Sequence, residues 1–387
     1  MKKHIIAAAA LGAFALFANM AHAQSSVTLY GVIDAGITYA NKVATANGHD
    51  SLWKYSDGVG SGSRWGLKGS EDLGGGLKAI FVLESGFNSG DGTLGQGGAL
   101  FGRQAYVGLS KNEFGALTFG RQYSFSTDYL GGNYTMGSQT PAGNYAYHIN
   151  DLDQLTSSRI NNAVKFSSAS FYGVTFGAMY GFSNSTNFAG SPTTTIGGTT
   201  TQGSSSAYSF GLNYAQGPFG IGAAYTNIRY PNNSAPLSIA NVALGGLRDL
   251  ETYGIGARYT IAAATIWANW THTRFQPITS GSSKLNNYEI GGKYAFTPAL
   301  SAGLGYTFSK LDDIEGKWHQ INGVVDYALS KRTDVYVIGA YQKASGSNTV
   351  AGRDVPVQAE IGSASSFIGN AGANTQFVTR VGLRHKF

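Results

Sequence analysis

Apolar residues fall at every second position through most of the chain, in segments of about ten residues. In the first, Val27, Leu29, Gly31, Ile33, Ala35, Ile37 and Tyr39 share one face, and Thr28, Tyr30, Asp34 and Thr38 share the other. The pattern returns with Leu77, Ala79, Phe81 and Leu83 against Lys78 and Glu84, and with Tyr208, Phe210, Leu212 and Tyr214 against Ser209 and Asn213. It returns again with Leu300, Ala302, Leu304, Tyr306 and Phe308 against Ser301 and Thr307. A period of two marks strands whose faces meet unlike surroundings. Short turns are expected at Asp72–Gly76, Lys111–Gly115, Ser168–Gly173, Gln216–Pro218, Ala262–Ala264, Thr297–Ala299 and Ser330–Thr333. Between them lie longer Gly-, Ser- and Asn-rich stretches, around 41–62, 88–99, 122–158, 183–205, 229–250, 275–284, 309–316 and 343–374. Strict alternation of short and long connections puts all short turns at one end of the sheet, as in an outer-membrane barrel. Counting connections predicts about sixteen strands. Closing the last onto the first leaves no sheet edge in lipid.

Composition sharpens this reading. The chain has 23 Tyr, 21 Phe and 55 Gly, but only 12% charged residues, about half the usual share for a soluble protein. The 8 prolines are sparse and cysteine is absent, which excludes disulfides and thiol chemistry. Lys2 and Lys3, an apolar run from Ile5 to Met20, and Ala21-His22-Ala23 read as a secretory signal peptide over residues 1–23. Cleavage there leaves residues 24–387 as one β-barrel domain and lowers the formal net charge from +6 to +4. Aromatics gather at apolar strand ends (Tyr39, Phe87, Phe219, Tyr225, Tyr259, Phe296, Phe308, Tyr327 and Tyr341), where interfacial girdles form. The expected fold is an all-β, 16-stranded antiparallel transmembrane β-barrel.

Several stretches carry a resemblance to a known family. They are Gln24-Ser-Ser-Val-Thr-Leu-Tyr-Gly31, Ser63-Arg-Trp-Gly-Leu-Lys-Gly-Ser-Glu-Asp-Leu-Gly74, Arg103-Gln-Ala-Tyr-Val-Gly-Leu109, Phe119-Gly-Arg-Gln122, Leu329-Ser-Lys-Arg-Thr333 and Val381-Gly-Leu-Arg-His-Lys-Phe387. The mature chain resembles the trimeric general porins of Gram-negative outer membranes, in particular their betaproteobacterial branch. The resemblance implies a homotrimer in outer-membrane lipid and lipopolysaccharide. It also implies a water-filled channel for small hydrophilic solutes and ions. The loop after the fifth strand, from about Gln122 to Ser158, would fold inward as the constriction, and Phe387 would serve as the assembly signal.

The resemblance also places a basic cluster on the wall opposite, at Arg64, Arg103 and Arg159. Parity puts Arg64 on the face of Lys68, and Arg159 on that of Lys165. Arg103 instead has the parity of Val107 and Leu109, so either a bulge intervenes or Arg103 stands above the lipid band. The loop tip, Gly132 to Pro141, has no acid, unlike that of the enteric relatives; Asp128, Asp151 and Asp153 are the loop's carboxylates. With Lys78, Arg380, Arg384 and Lys386 also counted against Asp34, Asp72 and Glu84, the lumen is expected to prefer anions.

Other features weigh less. Gly90-x-Gly92-x-x-Gly95 lacks the strand–turn–helix setting of a nucleotide site. His148 near Asp151 and Asp153 is the one grouping an outer-membrane enzyme would use. Asp312, Asp313 and Glu315 form an acidic outer loop, solvated or holding a divalent cation. No cofactor, metal or nucleic-acid partner is expected. A substrate-specific channel is the alternative. It would need an aromatic track along the lumen, where Tyr30, Tyr106 and Tyr336 are the candidates.

Overall fold

The computed structural model describes residues 25–148, 159–184, 188, 194–196, 199–201, 205–229, 237–239, 242–245, 247–277, 282–312, 316–350, 353–362 and 367–387. The proposed signal peptide, Asp151, Asp153, Asp313 and Glu315 lie outside the described residues.

Sixteen antiparallel strands close into one barrel. They are β1 (Ser26–Thr45), β2 in two parts (Gly48–Asp57 and Arg64–Gly74), β3 (Leu77–Gly86), β4 (Gln104–Lys111), β5 (Gly115–Tyr123), β6 (Arg159–Ser168), β7 (Val174–Gly181) and β8 (Ser206–Gln216). There follow β9 (Phe219–Arg229), β10 (Leu247–Ile261), β11 (Ala264–Pro277), β12 (Ser283–Ala295), β13 (Leu300–Leu311), β14 (Gly316–Ala328), β15 (Thr333–Ser345) and β16 (Thr375–Lys386). Each pairs with the next, and β16 pairs with β1 from Val32↔Lys386 to Ala40↔Val378. Beyond that ladder, Gly31 and Phe387 exchange backbone hydrogen bonds at 3.0 and 3.1 Å.

All seven short turns fall where the alternation puts them. The first long connection differs. β1 and β2 run far out together and turn at Ala46-Asn47. The Gly- and Ser-rich run lies within β2, where Gly58–Ser63 leaves the ladder and the strand resumes at Arg64 against Val32. The 309–316 connection is also shorter, because β13 and β14 stay paired out to Leu311↔Gly316.

The outward faces are apolar and exposed, as in Ile37, Val107, Phe210, Ile290 and Val381. The inward faces carry Thr38, Ser209, Thr226, Asn269, Glu289 and Gln320, all buried. The buried apolar clusters therefore lie inside the barrel, where the chain folds back into its own lumen. One packs Phe125, Leu130 and Tyr134 against Ile160, Met179 and Ala224. Another packs Met136, Ala142, Tyr145 and Ala146 against Val59, Trp267 and Ile338.

Candidate functional site

The chain between β5 and β6 enters the lumen and follows its wall. Short helical turns at Ser126–Gly131, Met136–Gln139 and Gly143–Ala146 punctuate it. Its first turn is tied down where Ser209 Oγ accepts the Phe125 N–H at 2.9 Å and Ser126 Oγ meets Thr226 Oγ1 at 2.7 Å. Tyr134 lies across Gly256, where a Cβ would come within 2.6 Å of the Tyr134 Cβ. Glu289 on β12 is the central anchor. Its Oε1 accepts the Met136 N–H and Trp267 Nε1–H, each at 2.7 Å, and its Oε2 accepts from His148 Nε2 at 2.8 Å. Farther on, Gln320 Nε2 donates to Tyr145 O at 2.7 Å, and Lys293 Nζ donates to Gln139 O at 3.0 Å. A buried segment needs partners for its backbone groups. Here the polar inward face of the strands provides them.

The Gly58–Ser63 excursion meets this segment from the opposite wall. Asn144 donates its N–H to Val59 O at 2.8 Å and its Nδ2–H to Gly58 O at 2.9 Å. Gly143 sits at φ +50, where a Cβ would be 1.9 Å from Val59 O, so only glycine fits. The excursion is held in turn by Asp34, which accepts the Ser61 N–H at 2.6 Å. Asp34 also accepts from Arg380 Nη2 at 2.9 Å and Tyr336 Oη at 2.5 Å.

Three guanidiniums stand beside this junction. Arg103 Nε donates to Glu84 Oε1 at 2.8 Å, Arg64 Nε lies 3.8 Å from Glu84 Oε2, and Tyr30 Oη donates to Glu84 Oε2 at 2.9 Å. Arg159 lies 5.0 Å over the Tyr123 ring. Arg103 reaches the lumen because its N–H and Gln104 both oppose Glu84, at the edge of the β4 ladder. Arg103 thus lies just outside the β4 ladder, whose register runs unshifted from Gln104 to Lys111, and the alternation of the strand does not govern its side chain. Parity alone would have turned Arg103 outward.

These arginines line an open space of about 1240 Å³ on the extracellular side, together with Lys54, Asp57 and Asp91. A second space of about 420 Å³ lies beyond it, with Lys293, Arg384, Lys386 and Asp326 in its wall. Both touch Gly60, Ser61, Gly132, Gly137 and Ser138. The passage between them therefore runs past uncharged residues of the loop tip and the excursion.

Several residues expected in the pore serve elsewhere. Lys165 is buried, pairs with Asp128 and donates to Tyr123 O at 2.8 Å. The two charges cancel at the foot of the loop instead of facing the arginines. Arg380 and Asp34 are likewise a fully buried pair, and Arg384 pairs with Asp334 at 3.0 Å. Lys68 faces inward on β2 but lies past Arg64, with Nζ 5.5 Å from the Tyr30 ring centre. Tyr30 and Tyr336 hydrogen-bond to Glu84 and Asp34, so they form no track. Asp312 pairs with Lys310 at 3.1 Å. The sequence reading gave no role to Glu289 or to the excursion. Inward parity at Glu289 and Gly-Ser alternation inside a strand were the available signals.

A family model described as Gram-negative porin matches residues 7–347. The chain belongs to the Gram-negative porin family. An outer membrane porin protein of Bordetella pertussis is 33% identical over 376 residues, covering 89% of this chain and 94% of that protein. Outer membrane porin protein 32 of Delftia acidovorans is 32% identical over 397 residues, covering both chains in full. Among solved structures, an anion-selective porin from Comamonas acidovorans superposes with a TM-score of 0.72 at 27% identity, covering 94% of this chain and 100% of that one. This porin is thus an outer-membrane channel for passive diffusion and not an enzyme. It crosses the membrane with strands; among the described residues no helix is long and apolar enough to do so.

Proposed function

We propose that this porin forms an anion-preferring general pore, with Arg64, Arg103 and Arg159 as its selecting cations. The supporting observation is the charge around the passage. Seven cations and three carboxylates line the two spaces, and the loop tip opposite is neutral. Glu84 is buried behind Arg64 and Arg103 and offsets one of their charges, and Asp334 offsets Arg384, which leaves the cations in excess. A low-dielectric wall with surplus positive charge concentrates anions in the narrow region. The anion-selective porin of Comamonas acidovorans, similar over its whole length, favours the same reading. The measurement is the zero-current potential across a planar bilayer separating two KCl concentrations. Anion preference is the expected sign, and cation preference would overturn the proposal.

The rest of the reading follows the family. Residues 1–23 act as an export signal, and the mature chain assembles as a homotrimer in outer-membrane lipid and lipopolysaccharide. Aliphatic outward residues on the first five strands, among them Ile33, Ala35 and Leu83, allow close contact between protomers, and closed symmetry suits such an assembly. Phe387 acts as the assembly signal.

A further inference from the structure

The inward face of β2–β4 carries an apolar patch on the periplasmic side of the arginines. Glu84 meets Arg64, Arg103 and Tyr30 in the lumen, and Val82 and Ile80, two and four residues before it, share its face. Lys68 on β2, Val82 on β3 and Tyr106 on β4 are directly opposite one another. Ser70, Ile80 and Gly108 form the next such row toward the periplasm. Val107 and Leu109 are exposed on the outer face, so Tyr106 turns inward. Gly120 on β5 is directly opposite Tyr106. Gly108 and Gly120 therefore leave Ile80 and Tyr106 with no side chain beside them on that flank. With strands about 4.8 Å apart and about 3.4 Å per residue, the patch spans roughly 10 by 7 Å. Tyr30 borders it, its ring over Gly66 and its centre 5.5 Å from Lys68 Nζ.

The inner face of a membrane barrel is ordinarily polar. Elsewhere in this lumen the inward apolar side chains are covered by the infolded chain. Ile160 and Met179 pack with Phe125 and Leu130, and Trp267 and Ile338 with Met136 and Tyr145. Ile80, Val82 and Tyr106 belong to no such cluster and stay half-exposed. The fold gains little from apolar groups left in water, so a patch of them points to contact with something else. One cation stands at its edge. Lys68 is exposed and, among the described residues, has no carboxylate partner. It lies four residues from Arg64, about 13 Å further along the strand.

We propose that this patch is a subsite for aromatic monocarboxylates passing through the pore. The ring lies on Val82, Ile80 and Tyr106, and the carboxylate is held by Lys68 after it leaves the arginines. The inference rests on the anion-preferring reading and names the kind of anion the pore favours. The dimensions suit a single six-membered ring, and the one unpaired lysine suits a single carboxylate. Small inorganic anions and acetate meet the same cations but gain nothing from the apolar surface. Partial burial of one phenyl ring there corresponds to about tenfold in affinity.

The test measures single-channel current of the full-length mature protein in dilute KCl as benzoate, acetate or benzamide is added. Benzoate should reduce the chloride current saturably, at a concentration about tenfold below that needed for acetate. Benzamide, which has the ring without the charge, should leave the current unchanged. Equal potency of acetate and benzoate would overturn the proposal, because the patch would then contribute nothing. Equal potency of benzamide and benzoate would overturn it as well, because the lysine would then have no part. The double variant Ile80→Thr, Val82→Thr should bring benzoate to the potency of acetate, and Lys68→Gln should weaken benzoate severalfold. Undiminished action of benzoate on the double variant would again overturn the proposal. Lys111→Gln, at a periplasmic turn, should respond as wild type does. If the double variant does not fold, the three probes on the wild-type channel decide the matter. The zero-current potential in KCl alone reports anion preference without benzoate, so a failure of that reading is seen separately from a failure of the subsite.

Discussion

Glu289 Oε1 accepts the backbone N–H of Met136 at 2.7 Å, tying the wall of the barrel to the middle of a loop 153 residues away in sequence. The same carboxylate takes donors from Trp267 and Asn269 on the neighbouring strand and from His148 at the end of the described loop. Replacing it leaves several buried donors without an acceptor, each costing about 1–3 kcal/mol. That cost falls on the loop, since the strands keep their own ladders. Glu289→Ala is expected to leave the barrel folded and to raise both mean conductance and open-channel noise, with faster proteolysis between residues 130 and 148. Quiet currents at wild-type conductance would show that Glu289 is not the anchor.

Gly143 is the contact between the loop and the β2 excursion. Valine there meets two obstacles, a left-handed φ and Val59 O at 1.9 Å from the Cβ position. The backbone penalty alone is about 1–3 kcal/mol. Gly143→Val should therefore part the loop tip from Gly58–Ser63 and change single-channel conductance, with the strand signal in circular dichroism unaltered. Unchanged conductance would mean that the excursion is not part of the constriction.

Strand number, turn positions and the facing of most side chains were legible in the sequence because membrane strands alternate strictly and short turns need turn-forming residues. The site was legible in part. Arg64 follows parity, whereas Arg103 stands just before the first β4 pair and Arg159 lies beyond a register shift in β6 that turns its neighbour Ile160 inward, and no pattern of apolar residues announces either. Lys165 and Asp128 have the right parity and the right loop, yet they neutralise each other, because pairing depends on where the loop's first turn lands. The same holds for Arg380 and Asp34. The Gly58–Ser63 run looks like an outer loop in composition, and only the register of β1 with both parts of β2 reveals it as an inward step.

Phe387 pairs by its backbone with Gly31, and its ring lies over that glycine, with Cζ 2.2 Å from where a Cβ would be. The residue remains 41% exposed, so burial of its side chain contributes under about 3 kcal/mol. Deleting Phe387 should barely alter refolding in detergent but should cause the chain to accumulate in the periplasm. Normal outer-membrane levels of the truncated protein would remove its role as a signal.

A homotrimer is expected to migrate as three chains on an unheated gel and as one after boiling. Placing a charge on the proposed contact, as in Ile33→Lys, should yield monomers, because a lysine there would be buried without a partner. A fully active monomer from the wild-type protein in mild detergent would argue against the trimer.

Selectivity is where charge, geometry and function meet most directly. Arg64, Arg103 and Arg159 stay protonated at any usable pH, so anion preference should be flat across the neutral range. It should weaken with salt, because the Debye length falls from about 10 Å at 0.1 M to about 3 Å at 1 M. Arg64→Ala and Arg159→Ala should each move the zero-current potential toward the cation side. Arg103→Ala should move it at least as far, because it also leaves the Glu84 carboxylate, which accepts from Arg103 at 2.8 Å, uncompensated. Glu84→Gln should act in the opposite sense and strengthen anion preference. Lys165→Ala is the discriminating case. Parity alone makes it a pore cation, but its pairing with Asp128 means that its loss should free an acid at the loop's foot and disturb conductance more than selectivity. If Lys165→Ala instead shifts the potential as far as Arg64→Ala does, the selecting charge extends beyond the three arginines.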